Sequence, residues 1–327
     1  MTDLPRRVSI NEEGPREGFQ IEPGPIPTAD KVALIDALAA TGLRHIQVAS
    51  FVSPKLVPGW ADAEAAVAGF APRPGVAYTA LWFNAAGLER ALAFGDRLHL
   101  TGSISLSASE AFSRRNLNRD RAGQVEAMRK QTAAHLAAGL PVNRIGIMAA
   151  FGCNFSGTVT PEQVFTAIGD GMSIAAEAGT PITRLSLADT MGWANPAQVE
   201  RLVGEVRARW PEPEITLHLH DTRGLAMANA HAGLRMGVAS FDATVGGLGG
   251  CPFAAHKGAP GNIASEELAL LCEELGIETG IDLDALIEAG HLAERIVGHP
   301  LPSALLRGGS LRAFRERAAQ AGNGVAA

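Results

Sequence analysis

The 327-residue sequence predicts one α/β unit, a (β/α)8 TIM barrel with a C-terminal helical extension. Three observations lead there. Eight short apolar runs alternate with helix-periodic segments from end to end. No linker-like stretch interrupts the alternation. No glycine-rich phosphate loop follows the first run, as a doubly wound open sheet usually shows. Barrels of this class run as one domain of about 250 residues. The barrel is expected over residues 8–275, with helices and a tail over 276–327.

Read as strands, the runs cover residues 8–12, 45–49, 76–81, 98–105, 144–149, 184–189, 215–220 and 241–245. The helices between them carry local starts and stops. Thr28 stands where it can cap a helix bearing Val32, Ile35 and Leu38, with Gly42 just past its end. Thr160-Pro161-Glu162-Gln163 combines a cap, a Pro at the first helical position and a Gln at the capping-box position. Asn195-Pro196 repeats the device ahead of Val199, Leu202, Val203 and Val206. After the eighth strand come helices over 265–275 and 283–297 and an Ala-rich, mobile end.

Composition narrows the function classes. A hydrophobic content of 46% supplies a large core. A net charge of -6 without a basic stripe argues against nucleic acid or an anionic membrane as the main partner. No apolar run approaches the ~18 residues of a membrane helix. The start, Met1 to Arg7, lacks the apolar core of a secretory signal, so a soluble, cytoplasmic protein is expected. Three scattered cysteines make no disulfide framework.

Chemistry-bearing residues collect at the carboxyl ends of the strands, where barrels place their reactive groups. In the seventh strand, Thr216, His218 and His220 alternate with Leu217 and Leu219. A strand buried by helices is normally apolar throughout, so two imidazoles on one face suit a pair of metal ligands. Two buried histidines satisfied by neighbours are the plainer alternative. The first strand runs into Glu12-Glu13-Gly14-Pro15-Arg16-Glu17-Gly18-Phe19-Gln20, dense in charge for a turn, with a solvated acidic turn as the alternative. The second ends at Gln47 and Ser50-Phe51-Val52-Ser53-Pro54-Lys55, and the fourth in Thr101-Gly102-Ser103-Ile104-Ser105. The sixth closes on Asp189, either a catalytic group or a cap or orienter. The eighth opens into Gly246-Gly247-Leu248-Gly249-Gly250-Cys251-Pro252, a loop able to fit closely over a ligand. Cys272 reads as core and Cys153 as either structural or functional, which leaves Cys251 as the reactive candidate.

With these motifs in this order the chain resembles the 3-hydroxy-3-methylglutaryl-CoA lyase family of metal-dependent barrel lyases. Ser107-Ala108-Ser109-Glu110, Asp189-Thr190-Met191-Gly192, His218-Leu219-His220-Asp221-Thr222 and Gly261-Asn262 extend the match over nearly the whole chain. The resemblance implies cleavage of a 3-hydroxy-3-carboxymethyl acyl-CoA to acetyl-CoA and a 3-oxo acid. It implies a divalent cation, Mg2+ or Mn2+, held by Glu17, His218, His220 and Asn262. Arg16 would face the thioester carbonyl, Cys251 would act as general acid or base, and Asp189 or Asp221 would move a proton or orient a ligand. Gln20, Ser50, Lys55, Ser105 and Ser107 are the candidates for holding the CoA thioester. The expected partners are a small-molecule acyl-CoA and a second copy of the chain in a dimer.

Several positions depart from the family pattern. Glu17 and Gln47 stand where members usually carry Asp and Glu, Phe19 where Leu is usual, and Glu13 where an apolar residue is usual. The loop from Cys251 to Asn262 is about two residues longer. The departures favour a shifted substrate, such as a citramalyl-CoA-like or longer-chain 3-hydroxyacyl-CoA, and weaker metal binding. The other readings are a condensing enzyme of the same superfamily, a barrel metallohydrolase and an impaired CoA-binding homologue.

Overall fold

A computed structural model describes residues 4–250 and 260–323. Eight parallel strands curl into a barrel: β1 Ser9–Glu12, β2 His45–Ser50, β3 Ala77–Leu81, β4 Gly102–Ser107, β5 Val142–Met148, β6 Arg184–Ala188, β7 Glu214–His218 and β8 Ser240–Ala243. The strand order is β3-β2-β1-β8-β7-β6-β5-β4, so β8 closes back onto β1. Across the remaining seam the N–H of His99, ahead of β4, donates to the Tyr78 carbonyl of β3 at 2.6 Å. Helices follow the strands and cover the outside, matching the (β/α)8 fold with C-terminal helices.

The core lies between the strands' outer faces and those helices. Ile10, Ile46, Val48, Ile104, Leu106, Ile145, Ile147, Leu185, Leu187, Ile215, Leu217 and Phe241 are buried there. Burying each such side chain stabilises the fold by roughly 1.5–3 kcal/mol. The inner face is polar instead. Arg144 and Arg184 are register partners, as are His218 and Asp242. Towards the amino-terminal mouth a cavity of about 70 Å3 is lined by Asn11, His45, Arg144, Arg184 and Glu214.

Element by element, the sequence reading and the structure differ where tertiary contacts take over. The expected fourth strand began at Leu98, but β4 starts at Gly102 and continues to Ser107. Leu98 is buried ahead of the strand and continues its apolar run, which hides the start. The helix at Thr28–Ala39 begins at Thr28 itself, whose hydroxyl donates to Asp62 at 2.5 Å rather than capping a helical N–H. Both later capping boxes, Thr160 with Gln163 and Asn195 with Gln198, form in full. The charged stretch after β1 is a two-turn helix, Gly14–Ile21, with Pro15 in its first turn. That helix carries half of the site.

Candidate metal centre

Backbone pairing builds the site at the carboxyl end of the barrel. β7 delivers His218 as its last residue, and the chain continues through Leu219 to His220. His220 then pairs with Asn262 in an isolated antiparallel bridge. Around that bridge the Ile263 N–H donates to the Leu219 carbonyl at 3.0 Å, and the Asp221 N–H to the Gly261 carbonyl at 2.7 Å. The chain re-entering after the β8 loop is therefore stitched to the chain leaving β7. Glu17 comes from the other side, in the first turn of the Gly14–Ile21 helix, where the helix dipole favours an anion.

The side chains converge. Glu17, His218 and His220 each present a ligand atom within 4.8 Å of the others. The Glu17 Oε1 lies 3.7 Å from the His220 Nε2 and accepts the Asn262 Nδ2 at 3.0 Å. The same Asn262 amide donates to the Leu248 carbonyl at 3.1 Å, which leaves its Oδ1 as the atom it can offer a cation. The His220 Nδ1–H donates to the Asp189 carbonyl at 2.9 Å, fixing the tautomer. Its Nε2 is buried with no hydrogen-bond partner among the described residues. A buried lone pair left unused beside a carboxylate and a carboxamide oxygen is what a hard or borderline divalent cation requires. The donor set fits such an ion.

Charge in the site is tightly distributed. Burial alone would raise the Glu17 carboxyl, yet Arg16 beside it and the two imidazoles hold it well below the usual range. Burial would lower His218, but the hydrogen bond to Asp242 and the Glu17 and Glu13 carboxylates push it up to about 9. Asp242 is saturated: its Oδ1 accepts the Asn11 Nδ2 at 2.9 Å, and its Oδ2 accepts Arg144 at 3.1 Å and His218 at 3.3 Å. Arg144 and these hydrogen bonds hold the Asp242 carboxyl, despite burial, down to about 2. A second acidic cluster, Glu13, His218 and Asp242, has similar spacing. There Arg16 and Arg144 already neutralise the carboxylates, so the cluster reads as an ion-pair network.

Arg16 lies beside the metal cluster. Its Nη2 meets Glu13 at 2.6 Å and Glu17 at 3.0 Å, and its Nε donates to the Gln47 carboxamide oxygen. The backbone carbonyl of Arg16 accepts the Trp60 indole N–H at 2.9 Å, which anchors the helix turn beneath it.

The other expected site residues are spread out. The Asp189 Oδ1 accepts the Trp193 N–H at 2.7 Å, so its carboxylate holds the loop after β6 while its carbonyl orients His220. Ser50 is wholly buried, and Phe19, which stands where the family usually carries Leu, is wholly buried in the core. The Ser107 hydroxyl is committed to the Ser109 backbone, donating to the carbonyl at 2.9 Å and accepting the N–H at 3.1 Å. Ser105 faces the lumen one layer below the mouth, 3.4 Å from the Ser103 hydroxyl. Gln20 sits on the Gly14–Ile21 helix with its Oε1 buried and unpartnered among the described residues, while Lys55 is exposed after β2. Cys251 lies outside the described residues.

Residues 7–293 match the HMGL-like family. The chain belongs to that family. It is 40% identical over 299 residues to the hydroxymethylglutaryl-CoA lyase YngG of Bacillus subtilis, covering 91% of this chain and 96% of that one. It is 40% identical over 296 residues to the 3-hydroxy-3-isohexenylglutaryl-CoA/hydroxymethylglutaryl-CoA lyase of Pseudomonas aeruginosa, covering 90% and 95%. The Bacillus subtilis HMG-CoA lyase structure superposes with a TM-score of 0.85 at 39% identity, covering 94% of this chain and 99% of that one. An HMG-CoA lyase from Acinetobacter baumannii, solved with coenzyme A and 3-methylmalate, gives 0.82 at 37% identity, covering 94% and 97%. The chain is accordingly an HMG-CoA lyase-like lyase.

Two residues of the site escaped the sequence reading. Asp242 and Arg144 are charged groups inside otherwise apolar strands, and that misplacement was the available signal. Among the described residues no helix is long and apolar enough to cross a membrane.

Proposed function

We propose that this protein cleaves the carbon–carbon bond of a 3-hydroxy-3-methylglutaryl-CoA-like thioester, yielding acetyl-CoA and a 3-oxo acid. The observation that supports it best is the convergence of Glu17, His218, His220 and Asn262 beside the Arg16 guanidinium. These four residues would hold a divalent cation, Mg2+ or Mn2+. Such a cation supplies Lewis acidity that makes a tertiary hydroxyl acidic near neutral pH.

The chain's own groups account for the rest of the reaction. The C3 hydroxyl gives its proton to the Asp221 carboxylate or to water, its electron pair forms the new carbonyl, and the C2–C3 bond breaks. The bonding pair moves onto the thioester as an enolate. The Arg16 Nη1, which meets no acceptor among the described residues, is the donor available to that oxygen as charge develops. Cys251, in the loop after β8, is the proposed proton donor to the enolate carbon. Asp189 acts through the His220 ring it orients. Gln20, Ser105 and Lys55 are the proposed thioester contacts; Ser50 and Ser107 would serve by shaping the β2 and β4 ends.

The test is turnover of a panel of acyl-CoA thioesters by purified protein with Mg2+ or Mn2+, following acetyl-CoA release. Cleavage dependent on the cation and abolished by His220→Ala is expected. No turnover of any member would overturn the reading. A longer 3-substituent is the second reading, because a relative of 40% identity is named for both isohexenylglutaryl and methylglutaryl substrates. Fastest cleavage of 3-hydroxy-3-methylglutaryl-CoA itself would remove it.

A further inference from the structure

Arg16 is held through two adjacent nitrogens of its guanidinium, Nε and Nη2. Gln47 takes its Nε–H, and Glu13 and Glu17 share its Nη2. The two carboxylates are not equivalent. Glu17 also accepts from Asn262 and faces His220, so it belongs to the cation cluster. Glu13 is the nearer, at 2.6 Å against 3.0 Å, and stands on rigid backbone. Its N–H donates to the Ala243 carbonyl on β8 at 2.9 Å, and its carbonyl accepts the Glu17 N–H at 2.8 Å. Both side chains of the Glu13–Arg16 pair are close to buried, at 10% and 12% exposure, so solvent screens them little. The contact with Glu13 adds the Coulomb attraction of two opposite charges to a hydrogen bond, which the neutral Gln47 amide does not, so Glu13 outweighs Gln47 in setting the guanidinium. Asp242 lies closer to His218 than Glu13 does, 3.3 Å against 3.9 Å, which leaves the Glu13 carboxylate to Arg16.

We propose that Glu13 is a positioning residue for Arg16, the anion that holds the guanidinium in place once Glu17 is engaged by a cation. This deepens the lyase reading and rests on it. With Glu13 against Nη2 the guanidinium is largely neutralised. It then serves as an oriented donor to a thioester oxygen and has little pull left for a substrate carboxylate. Moving the negative charge from Glu13 at Nη2 to residue 47 at the neighbouring Nε should serve the same end.

The experiment compares wild type, Glu13→Gln, Gln47→Glu and the Glu13→Gln/Gln47→Glu double variant. The expected result is a fall in kcat of about tenfold or more in Glu13→Gln, with KM and Mn2+ affinity little changed. The double variant should recover most of the lost rate. An unchanged kcat, or a loss the double variant does not recover while its thermal unfolding matches wild type, would overturn the proposal. A second measurement needs no turnover. Phenylglyoxal labels free guanidinium groups, and peptide mass spectrometry locates the label. Arg16 should be labelled several-fold faster in Glu13→Gln than in wild type, and equal rates would overturn the proposal even for an inactive chain. Absence of wild-type turnover with faster labelling would instead count against the lyase reading alone.

Discussion

Gly261 lies so close to Gly249 that a Cβ on Gly261 would stand 1.6 Å from the Gly249 carbonyl oxygen. That contact is backbone on backbone, so no side chain can give way. It brings the two ends of the β8 loop together and sets Asn262 opposite His220. Gly249 has φ +81°, in the left-handed region that favours glycine, and its own absent Cβ clears Glu17 and Asn262. Gly261→Ala is therefore expected to slip the pairing and withdraw Asn262. Mn2+ affinity, measured by titration calorimetry, should fall at least about tenfold while the far-ultraviolet circular dichroism stays that of wild type. Wild-type affinity in this variant would show that the approach does not position the ligand.

Asp242 carries a prediction of a different kind. It is not one of the four proposed cation ligands but fixes the His218 ring and is itself held by Arg144 and Asn11. Groups that orient a metal-binding imidazole typically contribute about 10–100-fold to metal affinity. Asp242→Asn should lower Mn2+ affinity within that range. Arg144 then faces a neutral amide, so Arg144→Gln in the same background should cost little more. Additive losses would mean that Arg144 acts elsewhere.

The scaffold was legible because its signal is periodic. Residues 215–220 alternate on two faces, and β7 places Leu217 in the core and His218 in the lumen accordingly. The Gly14–Ile21 helix was not legible, because Gly14-Pro15-Arg16-Glu17-Gly18 has the composition of a turn. What makes it a helix is tertiary: Glu12 accepts the Gly14 N–H at 2.7 Å, and a Cβ on Gly14 would stand 2.5 Å from that carboxylate. The Asp242–His218 pair depends on β8 lying beside β7 with those two residues in register, which no local pattern encodes. Asn262 could be tied to His220 only through family resemblance, since the bridge joins segments on either side of β8.

Two buried carboxyls behind β1 give the protein a pH-dependent stability. Glu12 accepts the N–H groups of Gly14 and Val245, at 2.7 and 2.9 Å, and the Ser265 hydroxyl at 2.5 Å. Burial still pushes it from 4.5 up to about 7, and burial does the same to Glu266. Between these values the folded chain keeps a proton that the unfolded chain has lost. Each group therefore makes stability fall as pH rises from about 4.5 to about 7, by roughly 1.4 kcal/mol per pH unit at most, with no further change above. Glu12→Gln keeps an acceptor for both N–H groups and removes the titration. Urea unfolding of the two proteins from pH 5 to 8 should show a shallower decline in the variant. Parallel curves would place the Glu12 carboxyl near its ordinary range.

Arg16→Lys separates charge from geometry. An ammonium keeps the positive charge but lacks the planar fork that meets Gln47 through Nε and Glu13 and Glu17 through Nη2. A lysine reaching Glu13 and Glu17 would satisfy them as a point charge and have no fixed N–H aimed at the thioester oxygen. Removing one preorganised donor to a developing oxyanion typically costs about 10²–10³ in kcat. We expect a loss of that size for Arg16→Lys, with KM and Mn2+ affinity within about threefold of wild type, because the interaction is made in the transition state. A rise in KM with kcat preserved would instead make Arg16 a ground-state binding group, and the enolate would need its stabilising charge from another residue of the mouth.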